Sequence, residues 1–156
     1  MTEFRFEFSF PASGAPVWQD RVERWYSLDA PAYGLAELFW REQEHLTERP
    51  GTLFLASSGA SNRTDASFAR TRPPSPAKFV HTLPNTRAAA LLRLMDWNGP
   101  TYCLQNDPAT LETALSEGRS VVEITSLPVW VASVENIAAD RYRARIFTLK
   151  PVAGKR

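Results

Sequence analysis

The first residues of the chain alternate between aromatic side chains and charged or polar ones. Aromatic residues occupy every second position from Phe4 to Phe10, a period of two that predicts a strand with one buried face. Apolar residues then recur at helical spacing over Val17 to Tyr26 and over Leu35 to Thr47, which predicts two helices. The apolar run from Thr52 to Ala56 lies between Pro-Gly and Ser-Ser-Gly, a pattern typical of a strand buried on both faces.

The rest of the chain continues to alternate between helical and extended patterns. Residues 57–76 are rich in Ser, Gly, Asn, Arg and Pro, and we expect most of them at the surface. The patterns predict, in chain order, a helix over Asn62–Arg70, a helix over Asn85–Met95, a strand over residues 101–105, a helix over Pro108–Glu117 ended by Gly118, and strands over Ser120–Thr125 and Arg141–Leu149. Helices that alternate with apolar strands indicate an α/β fold with a mostly parallel sheet and flanking helices.

Length, composition and charge narrow the class of protein. The 156 residues are 44% hydrophobic and 12% aromatic, which is enough for one core, so we expect a single domain over residues 1–156. A net charge of +1 argues against a nucleic-acid-binding protein. No apolar stretch reaches the roughly 18 residues that a membrane span requires.

The single cysteine and the N-terminus bear on location. Cys103 cannot form a disulfide within the chain, which makes a reducing compartment, the cytoplasm, the expected location. The N-terminal residues lack the basic and apolar regions of a signal peptide. Because the chain starts at Met1 and carries no recognisable tag, we expect a complete gene product.

Charge is unevenly distributed along the chain. Residues 61–100 contain six basic and two acidic side chains, a net charge of +4, whereas residues 1–60 carry a net charge of −4. The simpler interpretation is a set of solvated side chains. The functional alternative is a basic surface for an acidic protein or a phosphate group.

Signatures of a cofactor-dependent or metal-dependent enzyme are missing from the sequence. It has no phosphate-binding glycine loop, no metal-ligand spacing and no Gly-x-Ser-x-Gly turn, so no cofactor and no metal are expected. We expect His45, within a charged helix, to be solvated, and Cys103, within a strand, to be a buried thiol rather than a nucleophile. Ser57 and Ser58 follow a strand and His81 lies in a loop before a helix, where polar ligand contacts are often found.

The order of features in residues 51–124 resembles the N-terminal half of β-ketoacyl synthases of the thiolase superfamily. These features are a strand that ends in a Ser/Gly loop (TLFLASSG), a helix, the Ser75-Pro76 pair, the helix start LPNTRAAA, the Gly99-Pro100 turn, the strand TYCLQ and the helix PATLETALSEG. The likeness is greatest to short chain-length-factor-like proteins of aryl polyene and related type II polyketide or fatty-acid systems, which share a Ser/Gly loop followed by Asn-Arg-Thr. In this chain that stretch is SSGASNRT. The resemblance implies a thiolase-like half fold.

The resemblance also implies that this chain does not catalyse condensation by itself. In active ketosynthases the nucleophilic cysteine follows the Gly-Pro turn by about eight residues, whereas this chain has Asp107 or Pro108 there, and Cys103 lies too early. Alanine occupies residues 88–90, where the family usually has a glycine. The two histidines that support condensation come from the C-terminal half of the family's fold, which these 156 residues do not include.

Partner surfaces are a further implication of the resemblance. In the family, two similar halves pack around the helix after the nucleophile turn, and here that helix is polar enough to stand alone or lie against a partner, with its inward face formed by Leu111, Ala114 and Leu115. The preceding strand pairs across the family's dimer, which makes Tyr102 and Leu104 candidate partner contacts. Candidate contacts for an acidic acyl carrier protein are Arg63, Arg70, Arg72 and Lys78.

These observations lead to one functional hypothesis and two alternatives. We expect a catalytically silent, chain-length-factor-like partner of a complete ketosynthase in a polyketide or fatty-acid-type pathway, such as an aryl polyene pathway, and a homodimer is also open. The first alternative is a stand-alone binding module whose cleft holds an acyl or aromatic small molecule through Ser57, Ser58, Asn62, His81 and Asn85. The second is a small enzyme that uses His81 with Ser57 or Ser58, for which the spacing gives no independent support.

Overall fold

A five-stranded sheet with helices on both faces forms the body of the protein. The structure, a computed structural model, describes residues 1–57, 62–76, 79, 83–105 and 109–151. Its strands and α-helices are β1 (Thr2–Ser9), α1 (Ala30–Glu42), β2 (Thr52–Ser57), α2 (Asn62–Ala69), α3 (Ala89–Met95), β3 (Thr101–Leu104), α4 (Thr110–Thr125), β4 (Val129–Ala138) and β5 (Arg141–Leu149). Among the described helices, none is long and apolar enough to cross a bilayer.

The sheet is mixed, with one reversed strand. The strand order is β1-β5-β4-β2-β3. β2 pairs in parallel with β3 and β4, whereas β5 is antiparallel to both of its neighbours, β4 and β1. β1, β2, β3 and β4 therefore point the same way, and β5 points the opposite way. This topology confirms the predicted α/β class with a mostly parallel sheet and flanking helices.

Each face of the sheet carries its own hydrophobic cluster. Leu53 and Leu55 of β2 point to the face covered by α1 and α3, where they pack with residues such as Leu38 and Leu91. Phe54 points to the opposite face and packs with residues of α4, β4 and β5. All six residues of β2 are buried, as expected for an apolar run with protein on both sides. The predicted doubly buried strand is thus confirmed.

A side-chain cap sets the start of α1. The backbone N–H of Ala32 donates to Asp29 Oδ1 at 2.9 Å, and Pro31 occupies the first turn, two features that favour a helix start at Ala30. Apolar spacing alone predicted a start at Leu35 and an end at Thr47. The observed helix begins and ends five residues earlier in the chain. The apolar spacing missed the start because it carries no information about the capping residue.

The helix predicted over Val17–Tyr26 is wrong. The chain there forms two short 3₁₀ helices, Gln19–Arg21 and Trp25–Ser27, separated by Arg24 in the left-handed region at φ 58°. Tertiary contact overrides the helical spacing, since Trp18 is fully buried and its Nε1–H donates to Glu37 Oε2 of α1 at 2.8 Å. A 3₁₀ helix, Pro84–Ala88, similarly forms the first part of the helix predicted over Asn85–Met95.

The region after β3 departs most from the sequence prediction. α4 continues through Gly118 to Thr125, so Gly118 does not end the helix and Ser120–Thr125 is not a strand. Ala114, Gly118 and Val122 are buried at intervals of four residues, and this period places them together against the sheet. β4, which the sequence analysis did not predict, follows the turn after α4.

Candidate functional site

The parallel strands β2 and β3 end next to each other, at the same end of the sheet. β2 ends at Ser57 and β3 ends at Leu104, with Ala56 paired to Leu104. In α/β sheets, ligand sites commonly form outside the carboxyl ends of parallel strands. Ligand-binding residues are therefore expected at this end of the sheet.

A buried arginine connects three elements at this end of the sheet. Arg87, in the 3₁₀ helix before α3, exposes only 1% of its surface. Its Nη1 donates to the hydroxyl of Ser57 at the end of β2, and its Nη2 lies 3.9 Å from Oδ1 of Asp65 in α2. A buried guanidinium is costly unless it is paired and hydrogen-bonded, so these contacts fix the relative positions of β2, α2 and the 3₁₀ helix.

The predicted ligand residues are only partly described. Ser57 is 4% exposed, and its hydroxyl accepts the hydrogen bond from Arg87. Asn62 begins α2 and Asn85 lies in the 3₁₀ helix, but the structure describes only their backbone. Ser58 and His81 lie outside the described residues. The predicted ligand cleft between residues 57–62 and residues 81–85 therefore stays a prediction.

Three of the four predicted carrier-protein contacts lie within α2 or just after it. Arg70 and Arg72 are exposed just after the helix. Arg63 lies within α2 with only its backbone described, and Lys78 falls outside the described residues. Arg87, counted in the +4 segment, is buried, so the basic surface is smaller than the sequence count indicates. The role of these side chains in partner binding stays a prediction.

β3 presents the predicted pairing strand at one edge of the sheet. Within the described residues it pairs with β2 alone, so its other side is open. Tyr102 is 53% exposed, and its ring stacks on Phe54 with 5.3 Å between centroids. Leu104 is half-buried against the cluster beneath α4. An open strand edge with a supported aromatic side chain is suited to protein contact.

Cys103 lies on β3 between these two residues. Its side chain packs against the cluster on the α1 and α3 face and is half-buried. Burial raises the pKa of the thiol, against a smaller opposing effect of the positive charge on Arg87. The neutral thiol is thus the favoured form, whereas a cysteine nucleophile requires the thiolate.

α4 follows β3 and covers the other face of the sheet. Ala109 provides no side-chain cap, and Thr110 at the first position is 1% exposed. The predicted inward stripe is confirmed, since Ala114 is fully buried and Leu111 and Leu115 pack against the same cluster. The opposite side of α4 carries exposed polar residues such as Glu112.

Sequence reasoning missed a row of ion pairs across three strands. Arg143 of β5 binds Glu7 of β1 at 2.6 Å and Glu135 of β4 at 3.1 Å. Arg141 also reaches Glu7 at 3.3 Å, and Arg145 reaches Glu135 at 3.0 Å. The hydrogen bond from Arg143 lowers the pKa of Glu7. Alternate arginines in β5 were visible in the sequence, but their partners depend on the unpredicted β4 and on the strand order.

The described residues contain no group of three or more His, Cys, Asp or Glu side chains that could hold a metal ion. The closest approach to a built polar site among them is the cluster of Arg87, Ser57 and Asp65. That cluster is closed to solvent at the guanidinium, which suits a structural tie better than direct chemistry on a substrate.

Comparisons with known proteins identify the fold. No protein-family model matches the chain, and no curated protein sequence matches it. A chain in the solved structure of a ketosynthase (ApeO) in complex with its chain length factor (ApeC) from Xenorhabdus doucetiae superposes with a TM-score of 0.68 at 12% sequence identity. The chain has a ketosynthase-like, thiolase-type fold. The superposition covers 83% of this chain and 60% of that one, so the present chain corresponds to part of its structural neighbour.

Proposed function

We propose that this chain is a non-condensing, chain-length-factor-like partner of a complete ketosynthase in a polyketide or fatty-acid-type pathway. The observation that carries the proposal is the likeness of its fold to a chain in the complex of a ketosynthase with its chain length factor. The sequence resemblance points to aryl polyene synthesis, which is therefore the first pathway to test.

The state of Cys103 supports the absence of condensing activity. The sequence has Asp107 or Pro108 where the resemblance places the family's nucleophile. The only thiol of the chain lies within β3, and burial raises its pKa. A half-buried neutral thiol in a strand is a poor nucleophile, so acyl transfer to this chain is not expected.

The open edge of β3 is the proposed contact with the ketosynthase. A strand of the partner that adds to this edge would continue the sheet through main-chain hydrogen bonds. Tyr102 would supply the side-chain contact, because it is already supported by Phe54 and loses little conformational freedom on binding. Leu104 would extend the apolar contact toward α4.

The solution mass of the purified chain, mixed with the ketosynthase encoded nearest to its gene, tests this proposal. A species of summed mass is expected, and Tyr102→Ala should weaken the complex about tenfold or more, as for a buried aromatic contact. Tyr26→Ala is the matched control, since Tyr26 is 73% exposed in the 3₁₀ helix Trp25–Ser27, outside the sheet. Failure to bind any ketosynthase would contradict the proposal, and a rise in melting temperature with apolar ligands would then favour the stand-alone binding module.

We propose the exposed arginines after α2 as the contact for an acidic acyl carrier protein. Arg70 and Arg72 are exposed and separated by one residue, which suits attraction to an acidic surface. Reversing both charges with Arg70→Glu and Arg72→Glu should abolish binding to the carrier protein at low salt. Arg93→Glu, at an exposed position of α3, is the control. Equal binding by the double variant and the control would refute this contact.

A further inference from the structure

The first strand occupies the other edge of the sheet. β1 is eight residues long and, within the described part of the chain, pairs with β5 alone. Soluble proteins usually shorten, cover or pair such an edge, because its free backbone N–H and C=O groups can bind another strand. We therefore expect that β1 either pairs with another strand or carries side chains that prevent such pairing.

The two sides of β1 differ in chemistry. Phe4, Phe6 and Phe8 point to the aromatic side that packs near α1, and Phe4 and Phe6 remain half-exposed. The opposite side carries the exposed charges of residues 3, 5 and 7. Glu7 is already held by Arg143 and Arg141. Glu3 and Arg5, by contrast, form no ion pair within the described residues, although the two side chains have opposite charge.

We propose that β1 pairs antiparallel with β1 of a second copy of this chain, about a two-fold axis at Phe4. This register places Glu3 opposite Arg5 of the second copy and Arg5 opposite its Glu3, so the dimer contains two cross-strand pairs of opposite charge. Phe4 lies opposite Phe4 and would cover its remaining exposed surface. Opposite-charge and aromatic cross-strand pairs are both stabilising in antiparallel sheets.

Neighbouring registers fit the charges less well. A two-fold axis at Arg5 would place Arg5 opposite Arg5 and Glu3 opposite Glu7, and like charges directly opposite each other are destabilising. An axis at Phe6 would place Arg5 opposite Glu7, whose carboxylate is already engaged by two arginines, and would leave Glu3 without a basic partner. The charge pattern thus selects the axis at Phe4.

The proposed contact is small and independent of the ketosynthase contact. The register pairs five residues of each β1, which is less than a stable interface of about 800 Å² per partner requires. We therefore expect a reversible dimer whose fraction rises with protein concentration. β3 lies at the opposite edge of the sheet, so the dimer leaves it open and does not depend on whether a ketosynthase binds there.

Charge reversal at Glu3 and Arg5 tests the proposal, because it predicts both loss of the dimer and its recovery. Sedimentation equilibrium of the chain alone should show a reversible dimer, and Arg5→Glu or Glu3→Arg should each shift it to monomer. An equimolar mixture of these two single variants should restore the dimer, because each variant then meets the opposite charge at both sites. The double variant carrying both reversals should dimerise like the unmodified chain.

Controls separate this interface from other surfaces. Arg93→Glu and Tyr102→Ala should leave the dimer unchanged, and circular dichroism would show that each variant is folded. A chain that stays monomeric at every concentration would overturn the proposal and identify the charges of β1 as protection against strand pairing. A dimer that survives Arg5→Glu, or a variant mixture that stays monomeric, would overturn the proposed register.

Discussion

Gly118 is a sensitive test of how closely α4 lies against the sheet. It sits in the middle of α4, where glycine is usually unfavourable, and it is buried. A Cβ atom added there would lie 2.8 Å from Cδ1 of Leu149, 3.2 Å from Cγ2 of Val131 and 3.3 Å from Cγ1 of Val129. Gly118 therefore permits a close approach between the helix and β4 and β5.

Two opposing effects determine the result of Gly118→Ala. Alanine gains about 1 kcal/mol of helix propensity over glycine. Overpacking a well-packed core costs about 1–3 kcal/mol, and here the methyl group would press on three buried side chains at once. We expect the steric cost to exceed the gain, with a net loss of about 1 kcal/mol in the free energy of unfolding for alanine and a larger loss for Gly118→Leu.

Urea unfolding followed by tryptophan fluorescence measures this difference. Ser120→Ala is the matched control, since Ser120 is exposed in the same helix and the substitution should change the free energy of unfolding by no more than about 0.5 kcal/mol. If Gly118→Ala instead stabilises the protein by the full helix-propensity gain, α4 does not approach the sheet as closely as described.

Three further substitutions or reactions probe other parts of the fold. Asp29→Ala removes the cap of α1 and should lower the free energy of unfolding by about 1 kcal/mol, measured by urea denaturation. Arg87→Ala should lower it by about 2–4 kcal/mol, because it leaves a cavity and an unsatisfied Ser57 hydroxyl, whereas Arg87→Met should cost less in the same assay. Burial raises the pKa of Cys103, so its alkylation rate should still increase with pH where the rate for an unfolded control peptide has levelled off.

Local patterns predicted those elements whose burial follows from a simple period. The alternation in β1 and the apolar run of β2 each match the observed burial, since one strand has one covered face and the other has two. α4 was misjudged because the β-branched pair Val121 and Val122 favours a strand by propensity. The helical period through Ala114, Gly118 and Val122 decides the structure instead, because it places small and apolar residues against the sheet.

The buried cluster at the end of β2 could not have been predicted from the sequence. Arg87 lies 30 residues from Ser57, and only the fold brings the two together with Asp65. Arginine is rarely buried, so counting Arg87 as a surface charge was the reasonable expectation. Such polar pairs leave no periodic pattern in the sequence. The strand β3, by contrast, was predictable because it follows the Gly99-Pro100 turn and precedes a helix.

The lengths of the two open edges place different demands on their proposed partners. β3 has four residues, about 13 Å of strand at 3.3 Å per residue, and main-chain pairing over that length cannot supply the roughly 800 Å² per partner typical of specific complexes. A ketosynthase that binds at β3 must therefore also cover side-chain surface, including that of Tyr102, which is 53% exposed, and surface beyond the strand. Because such an interface is shared among several contacts, Tyr102→Ala should weaken the complex without abolishing it. In contrast, reversing the charge of Arg5 should eliminate the proposed contact at β1, because that contact consists of a few paired residues and the reversal places like charges opposite each other at two positions.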